Sequence, residues 1–174
     1  MSDGNGRTVS LYTQRRDGFH MLELMVVVAI VGVLATLAIP SFLVRRTMNE
    51  ITEAVPLADI AKAPIAKSWA AVQDFPPDNA SIGLPPADKI VNQYINSVAV
   101  KDGVILITFG NSANQVITGK VLALRPAVVE DAPIVPVTWI CGNAAAPDKM
   151  TIRGENKTNI PDSYLPYNCR APGT

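Results

Sequence analysis

Polar and apolar positions are very unevenly distributed along this chain. Residues 1–18 are mostly polar, with Arg7, Arg15 and Arg16. From Leu24 to Ile39 there follows a 16-residue run without a charge, diluted only by Gly32 and Thr36. Extended from Phe19 to Pro40 it has 22 residues, and Glu23 is its only formal charge. As a helix that segment would be ~33 Å long, enough for a hydrocarbon core of ~30 Å. It is apolar all round, so it does not read as an amphipathic helix lying on a core. Beyond Pro40 the pattern changes. Phe42, Met48, Ile51, Val55, Ala58, Ala61, Ile65 and Trp69 recur at helical spacing, with Arg45, Arg46, Glu50, Glu53, Asp59, Lys62 and Lys67 between them. This predicts an amphipathic helix over 43–75 that lays one face on a globular head. Pro40 removes an amide donor and predicts a kink or break, Gly32 weakens the helix, and Pro56 and Pro64 predict further kinks.

Residues 76–89 carry Pro76, Pro77, Gly83, Pro85 and Pro86 and read as a loop. Strand patterns follow at Ile90–Val100, Val104–Phe109, Lys120–Leu124 and Val135–Cys141. Asp102-Gly103 between the first two is a hairpin signal. The fold class is therefore α+β: a long N-terminal helix, apolar then amphipathic, packed on an antiparallel sheet of about four strands.

Composition sharpens this picture. The chain has 174 residues, with 15 Lys+Arg balancing 15 Asp+Glu. A net charge of zero argues against a general nucleic-acid binder. With 17% charged and 48% hydrophobic residues, it does not have the composition of a disordered chain. The mean hydropathy of +0.21 is high for a soluble domain, and the 19–40 segment supplies much of it. That segment has three readings: a secretory signal peptide, a signal anchor, or a helix that first anchors in a membrane and later packs in a helical assembly. The run exceeds the ~7–15 residues of a signal peptide and no clean A-x-A site follows it. Flanking arginines lean toward a cytoplasmic N-terminus.

Cys141 and Cys169 are the only cysteines and lie far downstream of the run. They are not spaced C-x-x-C and have no nearby histidine, which disfavours zinc or thioredoxin-like chemistry. A structural disulfide in an oxidising compartment such as the periplasm is the better reading. With His20 the only histidine, and no phosphate loop, nucleophile elbow or paired carboxylates, no enzyme, metal site or cofactor is expected.

The residues from Gly18-Phe19-His20-Met21-Leu22-Glu23 to Ile39-Pro40 resemble the N-terminal signature of type IV prepilins. The shared features are a glycine, a phenylalanine, a glutamate five positions after the glycine, and an uncharged run closing in proline. Asp17 stands where the family commonly has a basic residue, and His20 where it has a small hydroxyl residue. The resemblance implies a leader over 1–18, cleaved between Gly18 and Phe19 by a prepilin peptidase, and N-methylation of Phe19. Residues 19–42 would be a transmembrane, then filament-core, helix, and 76–174 a head ending in a disulfide-bounded loop. Glu23 would guide subunit addition by meeting the free N-terminus of a neighbour. The helix around Pro40 would melt and extend in the filament. The precursor would sit in the inner membrane, leader in the cytoplasm and head in the periplasm. An assembly platform and a separate motor ATPase would drive polymerisation into an extracellular homo-oligomeric pilus serving adhesion, motility or DNA uptake. A pseudopilin of a type II secretion system shares the N-terminal signature, and a monomeric signal-anchored binding module is the alternative from another class.

Weaker signals complete the reading. Asn79-Ala80-Ser81 and Asn156-Lys157-Thr158 match the glycosylation tripeptide but read as ordinary loop residues. Lys149, Arg153, Lys157 and Arg170 near the cysteine loop read as a solvated face, or as a weak anion or DNA contact. Tyr164 and Tyr167 read as packing residues of that loop.

Overall fold

The computed structural model describes residues 20–173, with the backbone alone over 37–41. The chain divides into two units, residues 1–39 and 40–174. Helix α1 spans Met21–Ala54, and a 3-10 turn over Val55–Ala58 leads to α2, Asp59–Val72. The strands are β1 (Ile95–Lys101), β2 (Val104–Phe109), β3 (Val121–Val128), β4 (Thr138–Cys141) and β5 (Thr151–Ile152). The predicted leader, with the Gly18–Phe19 junction, lies outside the described residues.

The proline cues act unequally. α1 is helical throughout, across both Gly32 and Pro40. A proline forfeits one intrahelical hydrogen bond, and the turns on either side hold the helix. The division between the two units nevertheless falls between Ile39 and Pro40. Pro56 sits in the first turn of the 3-10 segment that interrupts the helix between α1 and α2. Pro64 instead lies inside α2, where the neighbouring Ala61 and Ile65 are fully buried. Packing of that face outweighs the lost bond.

The buried face of the helix is the expected one at Ile51, Ala58, Ala61, Ile65 and Trp69, but not at Phe42. The buried stripe is Thr47, Glu50, Ile51, Ala54, Ala58, Ala61, Ile65 and Trp69. Phe42 is 66% exposed. At ~100° per residue, Phe42 lies about 180° from Ile51, on the opposite side of α1. Its Ile51, Ala54, Ala58, Ala61 and Ile65 pack with Val98, Val100, Ile105, Ile107, Phe109, Leu122 and Leu124 in one core.

The sheet is antiparallel, in the order β1-β2-β3-β4, with β5 added against β3. The β1–β2 hairpin turns on Asp102 and Gly103, both at positive φ (49° and 78°), the geometry of a two-residue type I′ turn. β1 starts five residues later than the pattern suggests. The Asn92 Oδ1 accepts the N–H groups of Tyr94 and Ile95 at 2.8 and 2.7 Å, holding a side-chain turn in front of the strand. β3 runs past its predicted end, through Pro126 to Val128. Pro126 accepts the Arg153 N–H at 2.8 Å. In an antiparallel ladder a residue's N–H and C=O face the same neighbour, so the missing donor falls where the two-residue β5 ends. Pro133 and Pro136 shorten β4 at its start, and β5 has no apolar run to announce it.

Candidate functional site

Two regions carry the candidate chemistry. The first is the N-terminal part of α1. Met21, Leu22, Leu24 and Met25 are 83, 74, 58 and 73% exposed, and Val28, Val31, Val33 and Leu34 are 64, 57, 63 and 61% exposed. At ~100° steps these positions circle the helix, so no face is shielded and none is polar. Among the described residues no helix is both long and apolar enough to cross a membrane. The stretch with described side chains, Met21–Thr36, would be ~24 Å long, short of a ~30 Å hydrocarbon core.

Glu23 lies in the first turn of α1, where a carboxylate is favoured by the unsatisfied N–H groups of the helix start. It is exposed and has no hydrogen-bond or ion-pair partner among the described residues. The backbone carbonyl of His20, just ahead of the helix, accepts the Leu24 N–H at 3.2 Å.

The second region is the C-terminal loop. Cys141 and Cys169 form a disulfide, and Cys169 is buried. The loop is also sewn down by polar contacts. Asn143 donates its N–H to the Cys169 carbonyl at 2.8 Å, and its side chain bonds Asp162 at 2.6 Å and Asn156 at 2.8 Å. Gly142 has φ +54°, and a Cβ there would stand 2.7 Å from the Cys169 carbonyl oxygen. Arg125 on β3 donates through Nη2 to the carbonyls of Gly142 and Ala144 at 2.8 and 3.4 Å. Burial lowers the pKa of its guanidinium, yet arginine stays charged, so this is a fixed clamp rather than a titrating one.

The four cations singled out near this loop do not make one free patch. Arg153 pairs with Glu130 at 2.7 Å and Lys157 with Glu155 at 3.4 Å. Arg170 donates to the carbonyls of Leu165 and Ser163, and its guanidinium lies 4.5 Å from the centre of the Tyr167 ring. Lys149 is exposed and stands without an ion pair among the described residues. Tyr164 packs against the core, as expected of it, whereas Tyr167 is 82% exposed.

Asn79 is no ordinary loop residue. It is buried, donates to the carbonyls of Pro85 and Val98 at 3.0 Å each, and accepts the Val100 N–H at 2.6 Å. Its amide staples the proline-rich loop to β1, which leaves no room for a glycan. Glu50 is the second structural residue that sequence reasoning passed over. A helical count from Thr47 to Ile51 and Ala54 would have placed it on the buried stripe.

A profile of the Pilin family, a bacterial filament, matches residues 50–170. The type IV major pilin protein PilE1 of Neisseria gonorrhoeae is 34% identical over 162 residues, covering 89% of this chain and 87% of its own. The chain belongs to the type IV pilin family. A fimbrial protein of Neisseria meningitidis serogroup B is 31% identical over 164 residues, covering 89% of this pilin and 94% of its own length. The fimbrial protein EcpC of Eikenella corrodens is 29% identical over 166 residues, covering 92% and 95%. Head, sheet and disulfide loop of this pilin lie within the matched region. The α+β architecture read from the pattern is thus the architecture of a pilus structural subunit.

Proposed function

We propose that this pilin is made as a membrane-anchored precursor, cleaved between Gly18 and Phe19 and N-methylated at Phe19, and then polymerised into an extracellular type IV pilus. The observation that carries the reading is the N-terminal part of α1, whose apolar side chains are exposed on every side. A lone subunit satisfies such a helix in a bilayer, and an assembled one satisfies it with neighbouring copies. Burial at ~25 cal/mol per Å² favours the second arrangement once the subunit leaves the lipid. Extraction takes work, which a separate motor ATPase at an assembly platform would supply. The disulfide loop supports a pilus subunit over a short secretion piston.

Glu23 is the register device of this scheme. Its carboxylate has no partner within the described subunit, and cleavage at Gly18 would create an amine only four residues away. In an apolar filament core that amine on a neighbour pairs with Glu23, and a neighbour displaced along the axis leaves both charges unpaired. Removing one partner of a buried pair typically costs ~3–5 kcal/mol. Glu23→Ala is expected to leave the subunit processed and inserted in the membrane while sheared filament yield collapses. Normal filament yield from that variant would remove Glu23 from the account.

A further inference from the structure

The head carries a groove and a knob that match each other and do not meet within one chain. The groove is an open depression of about 670 Å³ on the outer side of α2, lined by Ala63, Pro64, Lys67, Ser68 and Ala71, and closed by Ser81 and Ile82 from the following loop. Lys67 is its only charge and is exposed, without an ion pair among the described residues. The knob is the β3–β4 connection, residues 129–137. Ile134 at its tip is 92% exposed, the most exposed of the head's large apolar side chains. Asp131, three positions earlier, is exposed and stands at φ +57°, in the tight turn that presents the tip. Glu130 is already taken by Arg153, which leaves Asp131 as the free acid of the loop.

We infer that the β3–β4 loop of one pilin seats Ile134 in the α2 groove of a second copy, with its Asp131 facing Lys67. The small side chains of the groove admit a branched aliphatic tip, and the one cation of the groove answers the one free acid of the knob. Both the apolar and the electrostatic match are therefore available from a single partner, this chain itself. Knob and groove are different surfaces, so the contact is heterologous: each copy that fills a neighbour's groove leaves its own groove open for the next. Such a contact does not close on a two-fold dimer, and it propagates as an open helical array when its rotation closes no ring. The inference rests on the filament reading and adds a head-to-head specificity to the association of the N-terminal helices.

The test uses full-length pilin in assembled filaments. Ile134→Cys and Ser68→Cys are made singly and together, and sheared filaments are treated with a short bismaleimide, which ignores the native disulfide. The double variant is expected to give a ladder of dimers, trimers and higher species of subunit mass, and each single variant monomer only. Filaments that form normally but give no ladder overturn the head contact and leave the filament reading intact. Cross-linking to a protein of different mass overturns the self-contact in favour of another partner. Failure of the wild-type chain to form filaments overturns both. Charge exchange provides the second arm. Asp131→Lys or Lys67→Glu alone should cut filament yield about tenfold, which is ~1.4 kcal/mol in a binding constant. The two together should restore it, and equal loss in the exchanged pair contradicts the pairing.

Discussion

The Glu50 carboxylate accepts the backbone N–H of Asn114 at 2.8 Å, across 64 positions of sequence. Its side chain is 7% exposed, and its other oxygen takes Arg46 Nε at 3.3 Å. The contact pins the last turns of α1 to the loop between β2 and β3. Removing it leaves a backbone donor without its partner, which typically costs ~1–3 kcal/mol. Arg46 is 66% exposed, so its share of the pair is worth under ~1 kcal/mol. Glu50→Ala is thus expected to lower the unfolding free energy by about 1–3 kcal/mol and Arg46→Ala by clearly less. Equal losses in a urea titration would show that the ion pair, and not the Asn114 contact, carries the effect.

Asn79 makes three hydrogen bonds to backbone groups from a buried position. Asn79→Ala strands the Val100 N–H and two carbonyls, so a loss of about 2–4 kcal/mol is expected from penalties of ~1–3 kcal/mol per buried unsatisfied group. Asn79→Asp keeps the acceptor but turns a carboxylate toward the Pro85 and Val98 carbonyls, so at neutral pH it should lose at least as much stability as alanine. A melting temperature unchanged in the alanine variant would contradict the staple. Mass spectrometry of the native subunit should find Asn79 unmodified.

The Cys141–Cys169 bridge closes a segment of sequence separation 28. Chain entropy alone assigns such a loop about 3–4 kcal/mol. Cys141→Ser with Cys169→Ser is expected to lose about that much, with the Asn143 amide exchanging its hydrogen faster because its Cys169 carbonyl acceptor is no longer tethered. A double serine variant that melts with wild type would mean that Arg125 and the Asn143–Asp162 contact hold the loop without the bridge.

The general plan of this pilin was legible because its strongest cues are local. An uncharged run, a 3.6-residue periodicity and an Asp-Gly hairpin each act within a few residues, and the helix, the hairpin and an antiparallel sheet followed from them. What stayed hidden depends on distant partners. Nothing near Glu50 names Asn114, and nothing near Asn79 names Val98 or Val100. The local pattern ended the third strand at Leu124, and tertiary pairing carries it past Pro126 to Val128. Phe42 was taken for a core residue by type, although helical phase puts it on the far side from Ile51. The cations near the cysteine loop were legible as charges, but their partners Glu130 and Glu155 were not legible as partners. Glu23, the proposed assembly residue, was visible because a charge within an apolar run is itself a local anomaly.

In the proposed pathway residues 1–18 are removed and the exposed apolar helix then builds a filament. Intact mass of subunits recovered from fibres sheared off the cell surface, with the same fibres imaged by electron microscopy, tests both halves at once. Long fibres are expected, with a subunit that begins at an N-methylated Phe19 and keeps its disulfide. A chain that retains residues 1–18 and is recovered only as a membrane-extracted monomer would contradict that pathway.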